Sequence, residues 1–198
     1  SLPRHRMLGP EDTLALEPGL NDAGLRGAAI YHDAQVTFPE RLTVENALSA
    51  RQYGATLLTY ARVDELIRSG NEIQGVRFSD LLGGGSYLAH AALTINVAGP
   101  WVDQVLGDLA RRPLIGGTKG THVVVGAFRG APSAALYIEA SRDRRPYFIV
   151  PWNGQYLIGT TDTRYHGDLD QVAPDEDEIG YLIDETNRVI PDAQLTRA

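Results

Sequence analysis

The sequence has no cysteine among its 198 residues. This absence excludes disulfides, zinc–thiolate sites, iron–sulfur clusters and cysteine nucleophiles. The chain also lacks any apolar run approaching the roughly 20 residues that span a bilayer, and its first residues lack the apolar segment of a signal peptide. The five histidines show neither HxH nor HExxH spacing, and no GxSxG motif occurs, so we predict no metal site and no serine-nucleophile site.

Basic residues are scarce as well, with 18 Lys and Arg against 25 Asp and Glu, giving a formal net charge of -7. We therefore predict no binding to nucleic acid, because that binding depends on replacing phosphate counterions with Lys and Arg. Local basic groups do occur at Arg111–Arg112 and at Arg142, Arg144 and Arg145. Such groups in an acidic protein fit a small anionic ligand better than a polyanion. The alternative is that they lie in solvated turns.

The 21 glycines and 11 prolines predict many turns and a sheet-rich α+β fold. Helices are predicted at residues 11–17, 39–53, 101–109 and 174–189. Strands are predicted at residues 28–38, 56–63, 73–78, 86–96, 116–127, 135–138, 146–152 and 155–161. The run 91–97 is nearly all apolar, which predicts a buried strand. Asn153–Gly154 between two apolar runs predicts a hairpin.

A glycine-rich stretch, residues 116–122, is the first candidate for a ligand site. Glycines let backbone amides approach an anion, and Lys119, Thr121 and His122 can donate hydrogen bonds to it. The GxxxxGK[ST] spacing of a P-loop is absent. The alternative is a glycine-bent strand with exposed polar residues.

Two further candidates follow in the second half of the chain. Arg145 precedes the apolar run 146–152, from which it can present its planar guanidinium to a phosphate on a rigid support. Thr160 and Thr161 stand at a predicted strand end and point to opposite faces, so at most one of them faces a given cavity. By composition alone, a turn capped by Asp162 is the favoured alternative. The acidic run 175–178 is interpreted as a solvated helix start.

Small residues also mark the turn between the apolar run 91–97 and the helix predicted at 101–109. Ala98 and Gly99 lie in this turn and allow close approach of a cofactor to the backbone. The pattern is common at strand–helix turns, so by itself it does not identify a ligand.

In this order, these stretches resemble the FAD-dependent glycerol-3-phosphate dehydrogenases, within the D-amino-acid oxidase and glycine oxidase superfamily. The likeness begins at about residue 28 and covers nearly all of the chain from there. The matching segments are residues 31–35 with 41–42, 96–102, 119–125, 145–152, 158–162 and 185–188.

The resemblance implies that glycerol 3-phosphate is oxidised to dihydroxyacetone phosphate by hydride transfer to FAD. Electrons would then pass to a quinone at the membrane surface. The absence of cysteine is compatible with a reducing cytoplasm, where we expect the protein, and a peripheral contact with the cytoplasmic membrane and a homodimer are left open.

Site residues follow from the same resemblance. Arg145 would bind the substrate through its phosphate, with Lys119, Thr121 and His122 as polar groups near the flavin or the substrate. The expected FAD contacts are made by the backbones of Val63 (adenine) and of Ala98 and Gly99 (ribose and pyrophosphate). No general base is assigned.

The family pattern also includes parts that this sequence lacks. Its opening strand–GxGxxG–helix unit is absent, and so is a later strand with another substrate arginine. We therefore expect an internal segment that is inactive alone. Residues 1–111 would form part of the FAD-binding domain, and residues 112–198 a substrate-binding domain with an antiparallel sheet and a terminal helix.

Two alternatives remain open. One is another FAD-dependent oxidase of the superfamily, acting on an amino acid or hydroxy acid, with Arg145 bound to a carboxylate. The other is a non-catalytic binding module, which should have all its sheet edges covered. An exposed apolar strand edge at residues 91–97 would count against this module.

Overall fold

A computed structural model describes residues 2–197 of the chain, which form short helices and antiparallel sheets. In chain order the strands and α-helices are β1 (Arg6–Leu8), α1 (Pro10–Leu16), β2 (Ala28–Ile30), α2 (Pro39–Gln52), β3 (Ala61–Ser69), β4 (Glu72–Asp80), β5 (Ser86–His90), α3 (Val102–Leu106), β6 (Thr118–Lys119), β7 (His122–Val125), β8 (Leu136–Glu139), β9 (Pro146–Trp152), β10 (Gln155–Gly159), β11 (Thr163–Arg164) and α4 (Glu176–Val189). Short 3₁₀-helices lie at Gly99–Trp101, Gly107–Leu109, Leu169–Gln171 and Pro191–Ala193. In the described residues, no helix is both long and apolar enough to cross a membrane.

The chain divides into two compact units. The first comprises the described parts of Ser1–Phe38, Thr118–Tyr165 and Val172–Ala198, and the second comprises Pro39–Gly117 with His166–Gln171. The domain boundary predicted between residues 111 and 112 groups residues 1–38 with residues 39–111. In the structure, the described part of residues 1–38 instead packs with the later segments of the first unit. The predicted roles of the two regions remain expectations.

The first unit is built on a four-stranded antiparallel sheet with the strand order β7-β10-β9-β8. Alternate side chains of β9 and β10 point to one face, where Tyr147, Ile149 and Ile158 are almost fully buried. Leu182 of helix α4 and Ile190 belong to the same hydrophobic core. Asn153 and Gly154 join β9 to β10 with φ of 50° and 75°, as a tight hairpin turn requires, so the predicted hairpin is confirmed.

The second unit contains the antiparallel meander β3-β4-β5. Helix α2 begins at Pro39, as predicted, but none of its side chains is buried among the described residues. Its apolar residues Leu42, Val44 and Leu48 are 52%, 54% and 39% exposed. The apolar stripe of α2 is therefore available for packing.

The buried strand predicted at residues 91–97 is wrong. Strand β5 ends at His90, and the last ladder-like hydrogen bond runs from the Ala91 N–H to the Gln74 carbonyl at 3.0 Å. Leu93, Ile95 and Val97 are 73%, 72% and 86% exposed. An extended segment becomes a strand only when a neighbouring strand pairs with it, and no described strand does so here.

Three other predicted strands have different limits. The strand at 28–38 is only β2, because its partner β1 has just three residues. The strand at 56–63 starts at Ala61, because Tyr60 has a φ of 56° and interrupts the extended backbone. The strand at 116–127 is split into β6 and β7, because the Thr121 N–H donates to the Thr161 hydroxyl instead of to a ladder.

Truncating Leu182 tests whether helix α4 and the sheet share one core. Leu182 is 0% exposed, so we expect Leu182→Ala to lower the free energy of unfolding by about 3 kcal/mol, through lost burial and the cavity left behind. Leu2→Ala is the control, because Leu2 is 68% exposed, and we expect a change below about 0.5 kcal/mol. Urea unfolding measures both variants; equal changes would contradict this core.

Candidate functional site

The outer face of the four-stranded sheet is open and partly aromatic. Tyr137 and Phe148 project from it at 52% and 40% exposure, and their ring centroids lie 5.3 Å apart in an edge-to-face arrangement. His122 and Phe148 both pair with Gly159 in the sheet register, so they flank it on the same face. The exposed rings of Tyr137 and Phe148 therefore offer a surface to a flat ligand, whereas Gly159 itself is buried.

The imidazole of His122 packs directly over Gly159. A Cβ atom at residue 159 would lie 2.5 Å from the His122 Cδ2, and the φ of Gly159 is 154°, so glycine is required here on both counts. Part of the ring is exposed, but the desolvation of the remainder lowers the pKa of His122. The ring is therefore neutral at neutral pH and offers one donor and one acceptor nitrogen.

Arg145 stands at the end of this sheet, one residue before β9. Its Nη1 contacts the carbonyl of Asp162 and lies 3.1 Å from the Asp162 carboxylate. Its side chain is 50% exposed. The guanidinium is thus held at the surface by a neighbouring loop and remains accessible to an anion.

Lys119 and Thr121 instead belong to an internal network around Glu178, which is only 3% exposed. The Glu178 carboxylate accepts hydrogen bonds from side chains of the β6–β7 segment and of the segment after β10. These donors are Lys119 Nζ (2.8 Å), Thr121 Oγ1 (2.9 Å), Thr161 Oγ1 (2.8 Å) and Thr163 Oγ1 (3.1 Å). Lys119 Nζ also donates to the Asp175 carboxylate and to the Ala173 carbonyl, both at 3.0 Å.

The electrostatics of this network follow from its contacts. Burial alone would raise the pKa of Glu178, but hydrogen bonds from Lys119, Thr161 and Thr121 outweigh it and lower the pKa from 4.5 to about 2. Hydrogen bonds to Glu178 and then Asp175 raise the pKa of Lys119. Glu178 is therefore ionised at neutral pH, and the Lys119 ammonium donates its hydrogen bonds to groups of the protein.

One short segment, residues 159–163, contacts all four predicted substrate residues. Gly159 carries the His122 ring and Asp162 contacts Arg145, as described above. Thr161 accepts the Thr121 N–H at 2.8 Å, and Thr163 pairs with Lys119 in the β6–β11 ladder. His122 and Arg145 remain open at the surface, whereas Lys119 and Thr121 are turned inward.

A separate open cleft of about 780 Å³ lies within the second unit. Two of the predicted FAD contacts, Val63 and Ala98, line it, and Gly99 follows Ala98 directly in a left-handed conformation with a φ of 54°. The Asn96 side chain shapes this wall by accepting the Ala98 N–H and donating to the Val102 carbonyl, both at 3.1 Å. Apolar side chains thus share the lining with the charged Arg62, Asp64, Glu65 and Asp170, in a groove that has room for a planar ring.

Sequence reasoning missed the two buried carboxylates of helix α4, Glu178 and Glu185, which are 3% and 2% exposed. The acidic run 175–178 was expected to be solvated, but the structure contradicts this for Glu178. One signal was present, since Asp175 and Glu178 have the spacing of a capping box, and both of its reciprocal hydrogen bonds form. Between residues 2 and 197, no group of His, Asp or Glu side chains is arranged to hold a metal ion.

Comparison with known proteins gives consistent matches over the whole chain. The family model described as FAD dependent oxidoreductase (DAO) matches residues 1–198. A glycerol-3-phosphate dehydrogenase of Synechocystis sp. is 50% identical over 209 residues, covering 100% of this chain and 38% of that protein. An alpha-glycerophosphate oxidase of Lactococcus lactis is 33% identical, covering 96% of this chain and 32% of that protein.

Two solved structures are similar in fold. The glycerol-3-phosphate dehydrogenase of Bacillus halodurans complexed with FAD has a TM-score of 0.83 and 31% identity, over 96% of this chain and 38% of that one. The L-proline dehydrogenase of P. horikoshii has a TM-score of 0.72 over 94% of this chain and 48% of that one, and at 20% identity it shows the fold alone. The chain thus spans 38% or less of the two curated relatives compared above.

The Glu178 network makes a prediction about pH. Because its folded-state pKa is depressed from 4.5 to about 2, Glu178 contributes about 3 kcal/mol of stability above pH 4.5, which is lost as the pH falls towards 2. Glu178→Gln should remove this contribution, so wild type and variant should converge in unfolding free energy between pH 5 and about 2. Urea unfolding at several pH values measures it.

The control for this experiment is Glu72→Gln, because Glu72 is exposed at a strand end. The unfolding free energy of Glu72→Gln should equal that of the wild type at every pH. A constant difference between wild type and Glu178→Gln across the whole range would contradict the depressed pKa.

Proposed function

This chain belongs to the FAD dependent oxidoreductase (DAO) family, and from that membership we propose that the complete protein oxidises sn-glycerol 3-phosphate to dihydroxyacetone phosphate. The C2 hydrogen leaves as hydride, the C2 hydroxyl loses its proton, and a carbonyl forms. The observation that carries the proposal is the accessible Arg145, which contacts the same segment 159–163 as His122, in a chain 50% identical to a glycerol-3-phosphate dehydrogenase.

Arg145 is the proposed phosphate ligand. Its guanidinium presents several N–H donors in a planar fork, which matches phosphate oxygens better than a lysine ammonium does. Its Nη1 lies 3.1 Å from the Asp162 carboxylate, which fixes one side of the guanidinium, and half of the side chain is exposed. An incoming phosphate can therefore bind without moving the loop.

His122 is proposed to contact the carbon end of the substrate. Its lowered pKa keeps the imidazole neutral, so the ring can donate to or accept from a hydroxyl group. Lys119 and Thr121 are proposed to support the site through Glu178, which ties their strand to the segment that carries Asp162. No residue of this chain is assigned as the general base.

FAD is the proposed cofactor, and the cleft of the second unit fits part of it. The cleft is open and lined by Val63, Ala98 and further apolar side chains together with the charged Arg62, Asp64, Glu65 and Asp170. Gly99 lies beside it in a left-handed conformation that keeps the backbone accessible. These residues would hold the adenosine end of FAD through the backbone. The flavin, when bound, supplies the acceptor for the hydride.

The electron acceptor and location are proposed on the resemblance to the dehydrogenases. We propose that a quinone takes the electrons, and that the complete protein works in the cytoplasm in peripheral contact with the membrane. A homodimer is one arrangement that would cover exposed apolar residues such as Leu42, Val44 and Leu48 of helix α2. Cofractionation with membranes and light scattering test these points.

Replacing Arg145 tests the phosphate assignment. In the complete protein, Arg145→Ala should raise KM for glycerol 3-phosphate about 100-fold, because charge-assisted hydrogen bonds contribute about 1.5–3 kcal/mol. Any rate measured with glycerol, which has no phosphate, should be the same in Arg145→Ala and in the wild type. Steady-state kinetics measure both.

The control for Arg145 is Arg142→Ala. Arg142 lies in the same loop, and its guanidinium makes an exposed pair with Asp184 at 3.0 Å; KM should stay within about twofold. An unchanged KM in Arg145→Ala, or equal losses with glycerol and glycerol 3-phosphate, would refute a phosphate contact.

Filling the cleft tests the cofactor assignment. Ala98→Leu adds bulk to a lining position, so we expect the Kd for FAD of the complete protein to rise about tenfold, by the steric cost of overpacking. Ala91→Leu is the matched control, because Ala91 is exposed and lies outside the cleft. Flavin fluorescence titration of the apoprotein measures both; full affinity in Ala98→Leu would contradict the cleft as the FAD site.

A further inference from the structure

The loop between β8 and β9, which ends at Arg145, is fixed by a buried carboxylate of helix α4. Glu185 accepts hydrogen bonds from the Ser141 N–H at 2.9 Å, the Ser141 hydroxyl at 2.7 Å and the Arg142 N–H at 3.3 Å. It also accepts from Arg188 Nε at 2.8 Å. Glu185 is 2% exposed, so these contacts are made away from bulk water.

Every recorded partner of Glu185 is a donor. An ionised carboxylate only accepts hydrogen bonds and can satisfy all of them, whereas the amide of glutamine would turn an NH₂ group towards another donor. Burial alone would raise the pKa of Glu185, but hydrogen bonds from Ser141 and Arg188 outweigh it and lower the pKa. Because the groups around residue 185 are hydrogen-bond donors, they stabilise an ionised carboxylate at this position.

A second contact from the same helix acts on Arg145 through Asp143. The Tyr181 hydroxyl donates to Asp143 Oδ1 at 3.0 Å, and the same oxygen accepts the Arg145 backbone N–H at 3.1 Å. Asp143 Oδ2 lies 3.7 Å from Arg145 Nε. Helix α4 thus holds the loop at its start through Glu185 and at its end through Tyr181 and Asp143.

The opposite side of Arg145 is tied to the same helix. Asp162, which contacts Arg145 Nη1, lies between Thr161 and Thr163, and both threonines donate to Glu178 Oε1, at 2.8 and 3.1 Å. Glu178 and Glu185 are seven positions apart, close to two helical turns, so they lie on the same side of α4. The Arg145 guanidinium therefore lies between the loop 141–145 and the segment 161–163, and side chains on one face of helix α4 hold both.

We propose that Glu185 is a positioning residue for substrate binding, which fixes the Ser141–Arg145 loop so that the Arg145 guanidinium meets the substrate phosphate. This inference rests on the proposed function. Glu185 acts through the loop and not by contact with the substrate. Its loss should therefore weaken phosphate binding and leave the turnover of bound substrate largely unchanged.

The test is steady-state kinetics of the complete protein with Glu185→Gln. We expect KM for glycerol 3-phosphate and the inhibition constant of inorganic phosphate each to rise about tenfold, with kcat within about twofold of the wild-type value. This pattern is expected when a variant loses an interaction that is equally strong in the ground state and the transition state. In the Arg145→Ala background, Glu185→Gln should raise KM no further, because both variants act on one contact. A purely structural role would lower kcat and flavin content together.

The control is Asp184→Asn, the neighbouring carboxylate on α4, which contacts only the exposed guanidinium of Arg142 among its recorded partners. It should leave KM and the phosphate inhibition constant unchanged. If Glu185→Gln does not fold, Ser141→Ala replaces it. That variant removes the 2.7 Å hydroxyl contact and should raise KM about threefold.

The outcomes separate this inference from the proposed function. If Arg145→Ala raises KM but neither Glu185→Gln nor Ser141→Ala does, the positioning role is refuted and the phosphate assignment stands. If the effects of Glu185→Gln and Arg145→Ala multiply in the double variant, the positioning role is likewise refuted. If Arg145→Ala itself leaves KM unchanged, the phosphate assignment fails and the positioning role fails with it.

Discussion

A charge removed from water must be compensated by donors, and this requirement organises the part of the first unit around Arg145. Helix α4 places Glu178 and Glu185 below the surface at 3% and 2% exposure. Glu185 accepts hydrogen bonds from the β8–β9 loop, and Glu178 accepts them from the β6–β7 segment and from the segment after β10, so each of these segments is held in one position. The position of Arg145 is a consequence, because one of these loops carries it and the other contacts it through Asp162.

The two faces of the four-stranded sheet differ, because one packs into the core and the other is exposed. The inner face carries the buried residues Tyr147, Ile149 and Ile158 and provides the core. The outer face leaves Tyr137 and Phe148 exposed. Antiparallel sheets tolerate this asymmetry, since alternate side chains face opposite ways. The second unit, in contrast, leaves the helix α2 stripe and residues 91–97 exposed, which favours a part of a larger protein over a self-contained binding module.

Local sequence signals predicted the elements that depend on local chemistry. Asn153–Gly154 specified its hairpin and Pro39 the start of α2, because both act through their own backbone preferences. Residues 91–97 could not be assigned from their apolar character, since a strand also needs a partner. The role of Glu178 was hidden for a similar reason. Its spacing from Asp175 indicated a cap, but its donors come from residues 119–163, which only the fold brings near.

The most direct test of this account is a crystal structure of the complete protein with FAD and glycerol 3-phosphate bound. The account predicts the substrate phosphate within hydrogen-bond distance of the Arg145 guanidinium, with the Ser141–Arg145 loop still bound to Glu185 and the carbon chain over the outer sheet face near His122. A phosphate bound elsewhere, with Arg145 still paired only to Asp143 and Asp162, would contradict it.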